Sequence, residues 1–254
     1  MPDYFTEKKM DLSVVIPAFN EEARIGLTLK KILNYLAGQP YQWEVIVVDD
    51  GSSDRTSQVI LEVKKDFFSA TSEDRLILLR NEKNLGKGSS VKKGVLSARG
   101  ELVLFTDSDL STPIEEIEKL LPWLDKGYEI AIGSRGPGAI IEQEQPFYRR
   151  KMGVCFNYLV RFLVNLPYHD TQCGFKLFRR QAAKLLFRLQ RIERFSFDVE
   201  ILYLAGRFGI SVKEVPIRWR NSPASSVHPV KDSFRMLLDL FRLKVNEWRG
   251  YYRA

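Results

Sequence analysis

Two aspartates separated by one residue are the sharpest chemical feature of the sequence. Asp107, Ser108 and Asp109 directly follow the hydrophobic run 102–105. Carboxylates spaced i and i+2 can point the same way and offer hard oxygen ligands to Mg²⁺ or Mn²⁺, leaving coordination positions for substrate phosphate oxygens. Short strings of this kind are also common in solvated loops. The position behind a predicted buried strand favours the metal site.

Polar residues follow two other predicted strands in the same way. Asn20 and Glu21 come after LSVVIPAF, and Asp49 and Asp50 come after EVIVV. Because the carboxyl ends of the strands form the ligand crevice of an open α/β sheet, we expect these groups to meet the Asp-Ser-Asp unit at one site. The alternative use of such residues is N-capping of the next helix, which we favour for Asp54.

The string NLGKG at 84–88 opens a predicted helix and combines two glycines with the cation of Lys87. Backbone N–H groups at a helix start can bind phosphate, although a turn with a helix cap is the commoner use of such a string. Its spacing matches neither GxGxxG nor GxxxxGK(S/T). Dinucleotide-dehydrogenase and P-loop functions are therefore not indicated.

Alternating hydrophobic runs and amphipathic stretches predict βαβ units in the first half of the chain. The predicted strands are 12–16, 44–48, 76–79, 102–105 and 129–132, and the predicted helices are 21–36, 55–66, 88–98 and 114–126. Pro113 is expected in the first turn of the last of these helices. We therefore predict an α/β fold with a Rossmann-like, mostly parallel open sheet flanked by helices.

The alternation weakens after residue 133. We predict a loop over 134–146, helices at 147–166, 180–189 and 198–208, and a last strand at 212–219. A stretch of turn-forming residues, 221–229, then precedes an amphipathic helix at 230–248. The C-terminal part of the fold is thus predicted to consist mainly of amphipathic helices.

Composition and charge describe one globular domain with an uneven charge distribution. The 254 residues are 44% hydrophobic and 28% charged, and the net charge is +7. Such a charge first favours a nucleic-acid partner. Residues 1–145, however, carry a balance of −6 and residues 146–254 a balance of +13. The basic residues are interleaved with apolar ones and form no known reader motif, so we predict no nucleic-acid partner.

Cysteine usage and the N-terminus indicate a compartment. Cys155 and Cys173 form no CxxC pair, and only two histidines are present, which argues against a zinc site and favours reduced thiols. Residues 1–11 are polar and contain no apolar core of a signal peptide. A cytoplasmic protein, soluble or peripheral on a membrane, is expected.

Taken in order, VVIPAFNEE, VIVVDDGSSD, NLGKG and FTDSDLS resemble the inverting family 2 glycosyltransferases with the GT-A fold. In the second half, HDTQCGFKLFRR and RFSFDVEILYLAGRFGISVKEVPIRW are similar to the dolichyl-phosphate β-glucosyltransferases, with mannose synthases and bacterial polyprenyl-phosphate glycosyltransferases as relatives. The resemblance implies a GT-A domain over 1–229, with a nucleotide-binding half at about 12–133 and an acceptor half at about 134–229. The amphipathic tail is 230–254.

The resemblance also implies roles for individual residues. Asp107 and Asp109 would hold Mg²⁺ or Mn²⁺ on the donor diphosphate, and Asp170 would be a catalytic carboxylate beside the sugar and the acceptor. Arg135 would pair with phosphate, which suits the guanidinium fork. The implied substrate-binding residues are Pro17, Phe19, Asn20, Glu21, Val48, Asp50, Lys87, Ser108, Arg135, Gln172, Lys176 and Arg220.

The implied activity is inverting transfer of glucose from UDP-glucose to a dolichyl-type polyprenyl phosphate. A GDP-mannose donor and a soluble acceptor are the alternatives. A phosphate monoester is already anionic at neutral pH, which relaxes the demand for a general base. The sequence therefore leaves two roles open for Asp170: a base, or a group that orients the acceptor or stabilises an oxocarbenium-like centre. Relatives carry a Gly-Ser-Lys string where this chain has ASS at 224–226, which leaves Arg220 or Lys231 as substitutes.

Two segments of the second half, 147–166 and 230–252, mix aromatic and aliphatic residues with Arg and Lys. This composition is typical of interfacial helices on anionic membranes, and ordinary core packing is the alternative. Two such segments favour peripheral binding at a cytoplasmic membrane face. Asp198 and Glu200 could face the site or cap a helix; the resemblance favours a structural or acceptor-loop role. The oligomeric state is not indicated.

Overall fold

The computed structural model describes residues 10–69, 75–143, 157–158, 160, 163–221 and 229–253, with side chains in the last range described from Phe234 onward. The strands are β1 (Leu12–Ala18), β2 (Trp43–Asp49), β3 (Leu76–Arg80), β4 (Leu102–Thr106), β5 (Ile130–Ser134), β6 (Ile140–Gln143), β7 (Phe175–Arg179), β8 (Val212–Pro216) and β9 (Arg218–Arg220). The helices are α1 (Ile25–Ala37), α2 (Thr56–Phe68), α3 (Lys87–Ser97), α4 (Ile117–Asp125), α5 (Arg180–Leu189), α6 (Phe197–Arg207) and α7 (Pro229–Trp248), and a 3-10 turn at Ile114–Glu116 leads into α4.

Seven strands form one sheet in the order β3-β2-β1-β4-β7-β5-β8. Its neighbours are parallel except at β7, which runs antiparallel to both β4 and β5. The mostly parallel sheet predicted from the sequence is thus confirmed. Because β7 enters where β4 and β5 end, the residues before β7 lie at the same edge as the residues that follow β4 and β5.

The sheet is buried on both faces. Along β1, Val14 and Ile16 belong to one core layer and Val15 to the other, the period of two that a strand imposes. Helices α1, α2 and α4 contribute to the first layer, and α3, α5, α6 and α7 to the second. This burial explains why the strands read as continuous hydrophobic runs.

The structure differs from the prediction in three strand regions. The prediction of a loop over 134–146 was wrong at β6, whose four exposed residues pair with the distant β9 and so show no hydrophobic alternation. The predicted strand 212–219 is divided into β8 and β9 at Pro216, which has no amide N–H to continue a ladder. Strand β7 was not predicted, because Lys176 interrupts its apolar run.

Most of the predicted helix 147–166 lies outside the described residues. The described positions 157, 158, 160, 163 and 164 are helical. Val160 and Val164 are buried in the second core layer, whereas Tyr158 is 70% exposed. Within the described part of the chain, no helix combines the length and the apolar character that crossing a bilayer requires.

Candidate active site

The Asp-Ser-Asp unit lies at the carboxyl end of β4, against the segment that leads into β7. The Asp107 amide donates a hydrogen bond to the Gly174 carbonyl at 3.1 Å. A Cβ atom built on Gly174 would overlap the Asp107 carboxylate. Gly174 therefore leaves the space in which Asp107 sits, and any larger residue there would displace this carboxylate.

Helix α1 and strand β9 hold the rest of the unit. Thr28 Oγ1 donates to the Ser108 carbonyl at 2.6 Å, and the Arg220 amide donates to the Ser111 carbonyl at 2.7 Å. Asp109 Oδ1 accepts the Ser111 amide at 2.9 Å, and Leu110 takes a φ of +46°. This tight turn directs the backbone away from β4 and keeps the two carboxylates close together.

The electrostatics of the unit suit a divalent cation. Burial and the negative charge of Asp107 both raise the pKa of Asp109 above its ordinary value. A cation would relieve this repulsion, and carboxylate oxygens are ligands that Mg²⁺ and Mn²⁺ prefer. The described residues contain no group of three or more His, Cys, Asp or Glu side chains arranged around a metal position. The two aspartates thus fit a metal whose other ligands are substrate oxygens and water.

Lys87 supplies a protein cation to the same site. Its Nζ lies 2.7 Å from Asp107 Oδ1 and 5.3 Å from the centroid of the Phe105 ring. Burial lowers the pKa of Lys87, but the carboxylates of Asp107 and Asp198 outweigh this and hold it above its ordinary value. Lys87 is therefore a charged partner of Asp107 at neutral pH.

Asp50 fixes the loop that leads to Lys87 through three hydrogen bonds. Its carboxylate accepts the amides of Leu85 at 3.0 Å and Gly86 at 2.8 Å, and the Asn81 side-chain amide at 2.8 Å. The carboxylate is buried by these contacts. The predicted nucleotide contact of Asp50 stays a prediction, whereas its structural role is to fix the loop from which Lys87 extends.

The glycines of NLGKG pack against the chain between α5 and α6. A Cβ on Gly86 would meet the Glu193 carbonyl oxygen at 2.6 Å, and one on Gly88 would meet the Ile192 carbonyl oxygen at 2.7 Å. The Ser89 amide donates to Glu193 at 3.0 Å. These glycines and the amides of residues 85, 86 and 89 are engaged within the protein, which favours the turn-and-cap interpretation of the string over phosphate binding.

A second centre joins Asp170 to Arg135. Arg135 Nε donates to Asp170 Oδ2 at 2.6 Å and Nη2 to Oδ1 at 2.9 Å, while the Arg135 amide adds a third bond at 3.0 Å. The Gln172 amide donates to Oδ1 at 3.2 Å. Burial by itself raises the pKa of Asp170, but the charge and hydrogen bonds of Arg135 lower it to about 2. Asp170 is thus a fixed carboxylate anion.

Other contacts hold this second centre in place. Glu214 Oε1 accepts the Asp170 amide at 2.8 Å and the Ser134 hydroxyl at 2.7 Å. The Arg135 guanidinium lies 5.5 Å from the centroid of the Trp219 ring. Strands β5, β8 and β9 therefore share in positioning Arg135.

Lys176 is buried in the core beside Asp198. The residue is 1% exposed, and its ammonium donates to Asp198 Oδ1 at 2.5 Å and to the Cys173 carbonyl at 2.6 Å. Burial raises the pKa of Asp198 even though Lys176 opposes the shift, and burial also raises the pKa of the Cys173 thiol to about 12. This placement supports the start of β7 from within the core and gives Lys176 no exposed surface for substrate.

The predicted nucleotide-pocket residues come together between β1 and β2. Pro17 and Val48 are register partners in the buried sheet, and Phe19 is 38% exposed beyond the end of β1. Asn20, at a φ of +54°, donates its amide to Ser52 Oγ at 2.9 Å and accepts the Ser53 amide at 3.0 Å through Oδ1. The two strand ends are therefore tied to each other.

Asp54 has the helix-capping role predicted for it, although it lies one residue before Arg55, the N-cap position of α2. Asp54 Oδ1 accepts the amide of Thr56, the first residue of α2, at 2.9 Å, and Oδ2 accepts the Glu22 amide at 3.1 Å. Thr56 Oγ1 in turn accepts the Glu21 amide at 2.7 Å. The chain after β1 is thus fixed to the start of α2, and Glu21 ion-pairs with Arg24.

Sequence reasoning missed four residues that build the site: Arg24, Thr28, Gly174 and Glu214. The hydrogen bond to Glu21 is the main cause that raises the pKa of Arg24. The charges of Asp109 and Asp107 raise it further, because Arg24 lies near both. Two of the four left a signal in the sequence. Gly174 stands inside the string DTQCGFK, and Glu214 is a charged residue in the middle of a predicted strand.

Comparison with known proteins decides the family. The model of the family "Glycosyl transferase family 2" matches residues 13–187, more than half of the chain. The chain belongs to this family. The protein is thus a glycosyltransferase, as the order of its motifs predicted, and its two aspartates stand behind β4 within the matched range.

Individual relatives of this glycosyltransferase cover nearly the whole chain. Dolichyl-phosphate beta-glucosyltransferase of Homo sapiens is 35% identical over an alignment of 269 positions that covers 100% of this chain and 81% of the relative. The Saccharomyces cerevisiae protein of the same name is 35% identical over 264 residues, covering 97% of this chain and 78% of the relative. The resemblance seen in the second half of the sequence is confirmed.

A solved structure shows the same fold. Glucosyl-3-phosphoglycerate synthase from Mycobacterium tuberculosis, in complex with Mn²⁺ and uridine-diphosphate-glucose, aligns with a TM-score of 0.65 at 19% identity, covering 93% of this chain and 78% of that one. The predicted GT-A architecture of the glycosyltransferase is thereby confirmed.

Proposed function

We propose that this glycosyltransferase transfers glucose from UDP-glucose to a polyprenyl phosphate with inversion at the anomeric carbon, giving a polyprenyl β-glucosyl phosphate. The observation that carries the proposal is the full-length similarity to dolichyl-phosphate β-glucosyltransferases, which extends through the Asp170 and Asp198 segments. The solved structure with Mn²⁺ and UDP-glucose supports the donor and the metal.

The donor would lie across the carboxyl ends of β1, β2 and β4. Pro17 and Val48 form the buried floor there, and Phe19 offers an exposed ring for stacking. Asp107 and Asp109 would hold Mg²⁺ or Mn²⁺ beside the diphosphate. A divalent cation there would neutralise the charge that develops on the departing UDP. Lys87 and Ser108 would line the same side of the diphosphate.

The state of Asp170 favours a phosphate acceptor over a hydroxyl acceptor. With a pKa of about 2 and both oxygens bound by Arg135, Asp170 is a weak base. A sugar or alcohol hydroxyl needs a base, whereas a phosphate monoester already carries its charge at neutral pH. The acceptor oxygen forms the new bond to the anomeric carbon as the bond to UDP breaks, and no proton has to leave.

Asp170 and Arg135 would then position the acceptor. Two of the five N–H donors of the Arg135 guanidinium are bound by Asp170, so others can reach an acceptor phosphate. The Asp170 charge would lie near the anomeric carbon, where positive charge develops. Gln172 and Arg220 would complete the surroundings of the two phosphates.

The decisive experiment is transfer with radiolabelled UDP-glucose, polyprenyl phosphate in detergent, and MgCl₂ or MnCl₂, followed by organic extraction. We expect label in the organic phase only with the phosphorylated lipid, and a β-configured product by NMR. Polyprenol without phosphate, 3-phosphoglycerate and GDP-mannose serve as comparison substrates. Label transferred to a soluble acceptor and not to lipid, or a preference for GDP-mannose, would overturn the proposal.

We also place the reaction at the cytoplasmic face of a membrane. The polyprenyl chain keeps the acceptor in a bilayer, whereas the nucleotide-sugar is water-soluble and must be reached from the aqueous side. Protease protection of the protein in sealed membrane vesicles tests this. Digestion from the cytoplasmic side is expected, and protection would contradict the assignment.

A further inference from the structure

Helix α7 carries two apolar faces, and only one of them is covered. Met236, Leu240 and Leu243 are buried in the second core layer. The other face consists of five exposed residues, which we call the α7 stripe: Phe234, Leu238, Phe241, Val245 and Trp248. Their exposure ranges from 43% for Val245 to 86% for Trp248.

The stripe is continuous along the helix. Its members are separated by four, three, four and three residues, so at about 100° per residue they fall within a sector of about 80°. The buried residues are centred on the opposite side of the same helix. A continuous stripe that includes two phenylalanines and a tryptophan is more than the scattered single apolar residues that a protein surface normally exposes.

Charge is sorted around the stripe. Arg242 and Arg249 are exposed along one flank, and Lys244 lies along the other. The acidic side chains that the structure describes on α7 are engaged within the protein: Glu247 Oε1 accepts Arg207 Nη1 at 2.7 Å, and Asp239 is near Ser196. Lys244 Nζ lies 3.9 Å from Glu247 Oε2 and 4.8 Å from the centroid of the Tyr203 ring, so the outward side of α7 is apolar along its centre and basic along the edge of Arg242 and Arg249.

The helix is fixed in place, so the stripe cannot turn inward. Tyr252, just after α7, is buried and donates its hydroxyl to Glu200 Oε1 at 2.5 Å. The Asn246 side-chain amide donates to the same tyrosine oxygen at 3.3 Å. Glu200 itself accepts the amides of Arg191 and Ile192. Whatever covers the stripe must therefore come from outside the residues that the structure describes.

We propose that α7 is a docking surface for an anionic lipid bilayer, with the stripe inserted at the boundary of headgroups and acyl chains. Aromatic and aliphatic side chains on one face with flanking cations are what an interfacial helix requires. A second copy of the chain is a poorer occupant. Two stripes packed together would bring the basic flanks of both helices against each other.

Flotation of the purified full chain with vesicles tests the proposal. The vesicles contain phosphatidylcholine alone or with phosphatidylglycerol, and no polyprenyl phosphate, so the result does not depend on the proposed acceptor. We expect the wild type to float with anionic vesicles. The pair Phe241→Ser and Trp248→Ser should reduce the bound fraction by about tenfold, because two large apolar side chains are lost from the interface.

Charge reversal tests the flanks separately. Arg242→Glu with Arg249→Glu should abolish the preference for anionic vesicles. The matched controls are Leu61→Ser on α2, and Lys30→Glu with Lys31→Glu on α1, all exposed on the opposite side of the sheet. These variants should float like the wild type. Thermal unfolding verifies that each variant is folded.

Three results would overturn the docking proposal: a wild type that stays unbound to anionic vesicles, stripe variants that float normally, or control variants that lose as much binding. Sedimentation distinguishes a second copy, since stripe variants that change from dimer to monomer without losing flotation would assign the stripe to self-association. The glucose-transfer assay in detergent is run in parallel. Its failure would count against the proposed function and leave the docking result standing.

Discussion

Two carboxylate centres lie at one edge of the sheet with opposite electrostatic surroundings. In the first, Asp107 and Asp109 stand together, and burial with the neighbouring charge raises the pKa of Asp109. In the second, Asp170 is clamped by Arg135 and its pKa is lowered to about 2. Both centres use aspartate, yet one has an excess of negative charge and the other is neutralised inside the protein.

The difference separates two kinds of work that carboxylates do in this fold. The first centre carries two carboxylates and one bonded cation, Lys87, and this excess of negative charge suits a divalent metal on a diphosphate. The second needs nothing further and is held rigid by main-chain and side-chain donors. Variants at the first centre should therefore lose metal-dependent activity, whereas variants at the second centre should also lose folding stability.

The largest expected effect is at the first centre. Asp109→Asn removes one of two charges that would hold the metal, so we expect kcat/KM for glucose transfer to fall by about 10³-fold, the scale of a lost metal contribution. Thermal unfolding should be unchanged or slightly improved, because a repulsion is removed. Asp125→Asn, at an exposed position of α4, is the matched control and should keep full activity. A folded Asp109→Asn enzyme with normal turnover would contradict the metal assignment.

Gly174→Ala should disrupt the first centre by displacing the Asp107 carboxylate. The added Cβ overlaps the Asp107 carboxylate, and displacing a reacting group by about 1 Å can cost about 100-fold in rate. We expect a loss of that order in transfer activity at saturating metal. Gly206→Ala on α6 is the control, since a Cβ there meets nothing within 4 Å. Equal activity of the two variants would show that Asp107 tolerates movement.

The sequence pattern alone pointed to the first centre, whereas Asp170 and Arg135 of the second centre were implied only by the family resemblance, for a physical reason. Asp107 and Asp109 follow a continuous hydrophobic strand, so local patterning was enough to place them at the sheet edge. The support for Asp170 comes from Glu214, 44 residues later, and Lys176 of β7 is neutralised by Asp198 of helix α6. Partners that meet only in the folded chain leave no periodic signal, and β7 was missed because Lys176, whose partner Asp198 lies 22 residues away, interrupts its apolar run.

The exposed strand β6 shows the same limit from another side. Its residues are all exposed, and its partner β9 lies more than 70 residues away, so neither alternation nor a nearby turn marked it. By contrast, β1 to β5 were predicted closely because each carries a run of apolar residues in its own sequence, and all but the partly exposed β3 are largely buried.

The second centre makes a pH-dependent prediction. Because the pKa of Asp170 is lowered from 3.8 to about 2 on folding, its charged form stabilises the native state by about 2 kcal/mol above pH 5. This contribution is lost as the pH falls through the folded pKa, with about half gone by pH 3. Urea unfolding should show Asp170→Asn less stable than wild type at pH 7 and the gap narrowing toward pH 3. A gap that is constant with pH would contradict the clamped-anion description.

The smallest expected effect is at Glu200, a third carboxylate, which lies in the same half as Asp170 but is satisfied by neutral donors. Burial raises its pKa despite the bonds from Tyr252 and the amides of Ile192 and Arg191. Tyr252→Phe removes one donor and leaves the amides in place, so we expect a loss of about 1 kcal/mol in the free energy of unfolding. Tyr251→Phe, with its half-exposed ring, should lose nothing measurable. Glu200 holds the chain that packs on Gly86 and Gly88, so the turnover of Tyr252→Phe should change less than twofold if that packing survives. A large loss of turnover with normal stability would contradict this expectation and give Glu200 a direct part in positioning Lys87.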